Sequence, residues 1–578
     1  MAVVTAPAPR AREPQARHRA PGPERAVPVK QVRGGISPVI WCLIVLFLVV
    51  VPVVALVWKS LELPEGGRGL GNYTDVLSRA GIWEAIGNSF LVGFGATFGS
   101  LIIALPFAYL VSRTDLPGRA FFRSVAVLTF AAPGFIAAMG WILLLGPKGG
   151  LINQYVLVPL GMPPFDIFTP YGIIFALSVF LYPLLFLPVA DAFDNMDSRL
   201  EEAAQSLGAR RWETARRVIL PLVLPPIFSG SLLVFISAFT IFGPVALLGG
   251  PVGFQTIPTA MFQLMTFPPR IELAAVLGLP VLVVLALLIW AQKKLYGRRR
   301  YTTVGGKPGQ RRIQPLGAWK WPAFLGGLAV FVVSVVLPFG VLVLTSFRKA
   351  IGLPLTWENM VLWDNYQKVF AQESIMRSFG NSLWIALAAT LLSLAIAFLA
   401  AFILERTRWR GRGLVQPLMF APLAFPGAIL GIAMIIAYSG GPLWLGGTLT
   451  IMLVAYLIRV IPQSFTYVQS GFKQINVETE EAARSLGASG QETVRRVTVP
   501  LLRGPLLSVG VLNFVLLFRE LDISIFLYTG SNDVAPVVLY NLATQSQFQV
   551  MGALAVLMLL VNLGVVILAR LLFGVRFK

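Results

Sequence analysis

The sequence predicts an all-α polytopic membrane protein of about twelve transmembrane helices, arranged as two parallel six-helix repeats. Three observations carry this. The chain is 56% hydrophobic and only 13% charged over 578 residues, outside the range of soluble globular proteins. Apolar runs of about 20 residues, the length that spans a hydrocarbon core of roughly 30 Å, recur from one end to the other. Motifs of the first half return in order in the second.

The runs of the first half are Pro38 to Trp58, Phe90 to Val111, Val125 to Leu145, Tyr171 to Ala190, Leu222 to Gly249 and Leu273 to Ala291. Those of the second are Trp321 to Thr345, Leu383 to Leu404, Leu414 to Tyr438, Leu443 to Val468, Pro505 to Tyr528 and Met551 to Ala569. The first run reads as a retained helix rather than a cleaved signal peptide. It begins after residue 37, is too long for a signal h-region, and no small-residue cleavage site follows it. The expected organisation is a disordered basic tail (1–37), a first half (38–292), a basic linker (293–320) and a second half (321–578).

The formal charge of +21 could suggest a nucleic-acid partner, but the Lys and Arg residues lie between apolar runs rather than on a soluble face. They report topology instead. Arg10 through Arg33, then Arg113, Arg119 and Arg123, then the linker from Lys293 to Lys320, all fall on one side of a twelve-span chain. By the positive-inside rule that side is the cytoplasm, with both termini on it and Arg570, Arg576 and Lys578 closing the chain. Cys42 and His18 are the single cysteine and histidine, so an intrachain disulfide is excluded and a zinc site or Cys/His catalytic pair is disfavoured.

The repeat is explicit. Asn72-Tyr73 and Gly87-Asn88-Ser89 return as Asn365-Tyr366 and Gly380-Asn381-Ser382, Arg113-Thr114 and Arg119 as Arg406-Thr407 and Arg412, and Pro133-Gly134 as Pro426-Gly427. A polar, Gly/Pro-rich insertion around Gly146 to Pro164 then reduces the offset between halves from 293 to 279 residues. Each half starts on the same side, so the halves are related by an axis along the membrane normal.

Between the fourth and fifth spans of each half lies a charged amphipathic segment, within 191–221 and 473–500. Glu201, Glu202, Ala203, Ala204, Gly208 and Pro221 match Glu480, Glu481, Ala482, Ala483, Gly487 and Pro500 position for position. The pattern reads as a short helix, a glycine turn and a second short helix stopped by proline. Ala203, Ala204 and Leu207 are expected to form one tight face. Such a helix pair suits docking into a groove on another protein; the bland alternative is a solvated interfacial helix.

These segments resemble the EAA loops of type I ABC importer permeases, here fused two to a chain. The resemblance implies type I permease repeats. It also implies that two copies of a cytoplasmic ATP-binding subunit dock on the two loops, and that an extracytoplasmic substrate-binding protein delivers the cargo. ATP and magnesium would belong to that partner, with no cofactor on this chain. No P-loop is present: Gly305-Gly306-Lys307 is followed by Pro308 and preceded by no strand. The chain is therefore expected to be a transport subunit rather than an enzyme.

Three charged residues fall inside predicted spans, where they default to functional candidates: Arg459 in span ten, and Glu520 and Asp522 in span eleven. Their counterparts by the repeat are Phe180, Ile241 and Gly243. The two acids could line a cation path, touching a metal in transit, or pair with Arg459 or Arg519 as a structural lock. The stretch RELDISIFLYTG with the following VVLYNL resembles fused permeases of ferric-iron importers. Fe³⁺ is a hard cation that prefers oxygen ligands, so ferric iron is the leading expected cargo. Thiamine, phosphonate and polyamine permeases are the alternatives. A twelve-helix secondary transporter is a further one, disfavoured because its signature motif would lie between spans two and three.

Overall fold

The computed structural model describes residues 38–296 apart from 132, 148 and 267, and 313–573 apart from 408 and 441–443. The expected tail with His18, the middle of the basic linker and the last five residues lie outside the described residues. Both halves belong to one unit, Ser37–Lys578.

Nine helices among the described residues are long and apolar enough to cross a membrane, and counting each of three bent helix pairs as one span gives up to twelve. The first half runs α1 (Pro38–Ser60), α2 (Gly71–Ser78), α3 (Ala80–Arg113), α4 (Arg119–Ala131), α5 (Gly134–Leu145) and α6 (Pro170–Asn195). It continues through α7 (Ser198–Ser206), α8 (Arg211–Thr214), α9 (Leu220–Thr240), α10 (Gly243–Gly249), α11 (Ile257–Thr266) and α12 (Ile271–Tyr296). The second half repeats this order. Helix α13 (Lys320–Phe331) continues through a π turn into α14 (Leu337–Ser346), followed by α15 (Asp364–Ala371), α16 (Glu373–Arg406), α17 (Val415–Phe420), α18 (Gly427–Tyr438) and α19 (Leu449–Gln474). Then come α20 (Val477–Ser485), α21 (Gly490–Thr493), α22 (Val499–Phe518), α23 (Ser524–Leu527), α24 (Ala535–Thr544) and α25 (Phe548–Phe573).

The repeated motifs are hydrogen-bonding devices. Asn72 donates to the carbonyls of Ser60 and Glu62, and Asn365 to those of Ser346 and Arg348. The Tyr73 and Tyr366 hydroxyls each lie 2.9 Å from the hydroxyl of Ser60 or Ser346. Asn88 and Asn381 donate to the carbonyls of Gln255 and Asp533, while Ser89 and Ser382 accept from the amides of Ile257 and Ala535. Each motif thus satisfies the frayed backbone where a loop segment meets a span, groups that apolar surroundings would otherwise strand.

The first span of each half leans on the other half. Helix α1 packs on α12 and α18, and α14 on α25 and α5. Close approach is possible because Gly140 of α5 has no side chain where the backbone of Pro338 passes.

Three expectations need correction. Spans three and nine are not straight: α4 and α5 meet at 99°, and the segment ending at Ala424 meets α18 at 107°. Both breaks fall at the repeated Pro-Gly pair, with Pro133 and Pro426 at the N-caps of α5 and α18. Proline has no N–H to continue a helix and pushes its predecessor out of the helical region.

Spans five and eleven end early, at Thr240 and Phe518, rather than at Gly249 and Tyr528. The remaining apolar stretches form the short buried helices α10 and α23, followed by α11 and α24. Hydropathy cannot see such breaks, because non-helical backbone is tolerated at membrane depth when protein surrounds it.

Pro221 and Pro500 do not stop a helix either. Each lies inside one continuous run, Trp212–Thr240 and Gly490–Phe518. A π turn precedes it, in which Leu220 donates to the Ala215 carbonyl and Val499 to that of Val494. The wide turn makes room for the ring without ending the helix.

Candidate functional site: two coupling loops and a broken span

Each loop is built the same way. Helix α7 is capped by Asp197, whose side chain accepts from the Arg199 amide at 3.0 Å, and α20 by Asn476, which accepts from the Glu478 amide at 3.3 Å. The helices end on glycines with left-handed backbone, φ 87° at Gly208 and 93° at Gly487. The Ala209 amide returns to the Ala204 carbonyl at 3.0 Å and the Ala488 amide to that of Ala483 at 3.1 Å. This closes the helix C-terminus in a Schellman arrangement. Open space surrounds both glycines, so positive φ rather than crowding is what requires them.

The two glutamates of each motif have opposite fates. Glu201 and Glu480 point inward, and Glu202 and Glu481 are exposed. Glu201 forms a hydrogen-bonded ion pair with Arg113, the last residue of α3, with the side chains 1% and 0% exposed. Glu480 takes Arg406 Nε at 2.9 Å, with 3% and 8% exposure, and the Thr498 hydroxyl at 3.0 Å. Arg406 also donates to the carbonyls of Phe472 and Ile475. The inner glutamate therefore ties the loop to the end of the long span α3 or α16. A movement of the loop must carry that span with it.

Each helix exposes a large apolar side chain among its polar ones. Leu207 is 88% and Leu486 90% exposed, and Ala203, Ala482 and Trp212 are exposed beside them. The expected tight face is thus split: Ala204 and Ala483 are half-buried, while the leucine stands free.

The second region lies between the halves. Glu520 and Asp522 are not on a helix, because α22 ends at Phe518 and α23 begins at Ser524. The Asp522 carboxylate accepts from the amide of Gly243, at 3.3 Å, at the start of α10. Gly243 is the residue equivalent to Asp522 in the first half, so the two counterparts meet where the halves face each other. The absence of a side chain at Gly427 is also required there, since a Cβ would come 2.9 Å from that of Asp522. Glu520 accepts from the Ile523 amide, and its own carbonyl receives the Tyr456 hydroxyl at 3.1 Å. Tyr456 also lies 2.6 Å from the Ser524 hydroxyl.

Beside this break Phe242 and Phe262 of the first half pack against Phe526 of the second, and Phe242 also against Tyr540, with ring centroids 5.7 to 5.9 Å apart. Arg459 projects from α19, exposed and within electrostatic reach of Asp522. No ion pair joins Arg459 to either acid among the described residues.

The structure therefore brings Arg459, Glu520 and Asp522 into one region and both coupling motifs to one end of their spans. Among the described residues no cluster of three or more His, Cys, Asp and Glu is placed to hold a metal ion. The anchors Arg113 and Arg406 were not singled out in the sequence as partners of the loops. Their signal was there, since both belong to the repeat, but 88 and 74 residues separate each from its glutamate.

Comparison with known proteins agrees with this architecture. The model of the family described as "Binding-protein-dependent transport system inner membrane component" matches residues 100–301 and 393–573, once in each half. The chain is 26% identical over 534 residues to the ferric transport system permease protein FbpB of Actinobacillus pleuropneumoniae, covering 91% of this chain and 76% of that one. It is 27% identical over 468 residues to a putative ferric transport system permease protein FbpB 1 of Haemophilus influenzae, covering 79% and 72%. It is 28% identical over 507 residues to a probable ABC transporter permease protein, y4fN, of Sinorhizobium fredii, covering 85% and 87%. With the family matched in both halves, the chain belongs to the binding-protein-dependent transport system inner membrane components, as a fused two-half, multi-pass permease.

Proposed function

We propose that this chain is the membrane-embedded pathway of an ATP-driven importer for ferric iron. The observation that carries the cargo is similarity along most of the fused length to permeases named for ferric transport, together with paired carboxylates at the break between the halves. A cytoplasmic ABC ATP-binding subunit docks on each loop, one copy against Glu202, Ala203 and Leu207 and one against Glu481, Ala482 and Leu486. ATP and magnesium reside on those subunits. An extracytoplasmic binding protein delivers the iron, and both termini of the permease lie in the cytoplasm. Glu201 and Glu480, tied to Arg113 and Arg406, pass the closure of the ATPases to α3 and α16.

The test is ATP hydrolysis by the purified complex of this permease with its ATPase in lipid. Ferric-loaded binding protein stimulates turnover under this reading. Stimulation only when the binding protein holds a polyamine, thiamine or a phosphonate would refute the cargo.

A further inference from the structure

The span α19 exposes a polar stripe along its length. Between Ile451 and Phe472 its exposed residues are Arg459, Thr466, Tyr467 and Ser470, and Gln463 is half-buried between them. Spacings of four, seven and eleven residues place Arg459, Gln463, Thr466 and Ser470 on one helix face, and Lys473 extends the stripe to the coupling-loop end. Exposed faces of membrane spans are apolar where they meet lipid. A guanidinium midway along a span faces water or protein instead. This stripe therefore lines the aqueous route from the break between the halves down to the cytoplasm.

The chemistry of the stripe is one-sided. It offers the Arg459 guanidinium, the Gln463 amide nitrogen, which is enclosed and has no partner among the described residues, the Ser470 hydroxyl and the Lys473 ammonium, while the Thr466 hydroxyl donates to the Pro462 carbonyl at 2.8 Å. Acids flank it at both ends: Asp522 and Glu520 lie near Arg459 at the break, and Glu405 sits at the cytoplasmic end, taken up by Gln469 at 2.9 Å and facing Lys473 at 4.0 Å, while the stretch from Gln463 to Ser470 carries none on α19 itself. The equivalent positions on α6 are Phe180, Leu184, Leu187 and Asp191, and Asp191 and Asp194 are both paired with Arg123. The face of α19 below the break is thus donor-rich and cationic, while the equivalent face of α6 is apolar until Asp191 at its end.

A bare trivalent cation would be repelled along such a wall, and no cluster of acids among the described residues would replace its water. Oxyanion groups suit it, since guanidinium, amide and hydroxyl donors all recognise them. We infer that the iron crosses as a complex with an oxyanion ligand, whose oxygens are handed along Arg459, Gln463 and Ser470, rather than as the free ion. This rests on the ferric reading above.

The experiment uses the full complex of permease, ATPase and binding protein in proteoliposomes with ATP inside. The binding protein is loaded with ⁵⁵Fe and, in separate arms, with ¹⁴C-citrate, ³²P-phosphate or ¹⁴C-bicarbonate. The expected result is that one of the anion labels accumulates with the iron in fixed proportion. Arg459→Gln lowers uptake of both labels about tenfold, the size of one lost charge-assisted hydrogen bond. Arg459→Lys retains most of the uptake, and an unshifted thermal transition with two ATPase copies still bound shows both variants folded and assembled. Iron accumulating with none of the three anions, or uptake undiminished in Arg459→Glu, overturns the inference and leaves the ferric reading intact. Absence of iron uptake by the ATP-hydrolysing wild-type complex overturns the ferric reading itself.

Discussion

Replacement of Glu480 by alanine isolates what holds the second coupling loop to its span. The wild-type carboxylate accepts from Arg406 Nε at 2.9 Å and from the Thr498 hydroxyl at 3.0 Å, in a site where neither charged side chain is more than 8% exposed. Removing one partner of a buried pair costs about 3–5 kcal/mol, because the other charge is left uncompensated. Arg406 keeps the carbonyls of Phe472 and Ile475 at 3.2 and 3.1 Å, which places the cost near the lower end, about 3 kcal/mol. If the loop opens locally, that energy raises the opening equilibrium about 100-fold. Amide hydrogen exchange over Val477–Ser485 in the detergent-purified protein reads this directly. Glu480→Gln, which keeps an acceptor, should show a smaller acceleration, and the double variant Arg406→Met, Glu480→Met should recover much of the protection. Exchange within about threefold of wild type in Glu480→Ala would refute the claim that this pair fastens the loop.

Other outcomes follow from the same geometry. Gly208→Ala and Gly487→Ala should each cost about 1 kcal/mol of local stability, since their φ values of 87° and 93° are left-handed. Asparagine should be tolerated better than alanine, as measured by exchange at the loop amides. Leu207→Glu and Leu486→Glu change exposed side chains, so the thermal transition should stay put while ATPase affinity falls about tenfold or more, measured by pull-down titration. Asp115 is held below the usual carboxylate range by the Leu316 amide and then by Lys320. Its folded value is the lower one, so its contribution is present above about pH 4 and lost as pH falls through the folded value. Thermal scans should therefore separate wild type from Asp115→Asn at pH 7 and converge in acid.

The repeat, the recurrence of membrane-length apolar helices and the helix–glycine–helix form of the two EAA-like segments were legible because each is written in local pattern: apolar length, paired motifs, and glycine where φ is positive. The Asn-Tyr and Asn-Ser motifs were visible only as coincidences, and their reason is three-dimensional, a satisfied carbonyl or amide at a loop junction. The break at Arg519–Ile523 was marked only by its charges, Arg519, Glu520 and Asp522 inside an apolar run, since no proline or glycine lies there. Its partners are distant in sequence: Gly243 of the first half offers its amide to Asp522, and within the second half Gly427 of α18 leaves room for the same carboxylate-bearing residue. Pro221 and Pro500 misled for the opposite reason, because a π turn absorbs a residue that ordinarily ends a helix. The two halves remain alike at the loops and unlike along the route, where Arg459 stands opposite an apolar counterpart.

The central claim is that one chain presents two separate ATPase-docking faces. Native mass spectrometry of the complex purified in detergent tests it most directly. The account predicts one permease chain with two ATPase copies, falling to one copy in Leu207→Glu or Leu486→Glu and to none when both are changed. A wild-type complex holding a single ATPase, or two copies retained in the double variant, would contradict it.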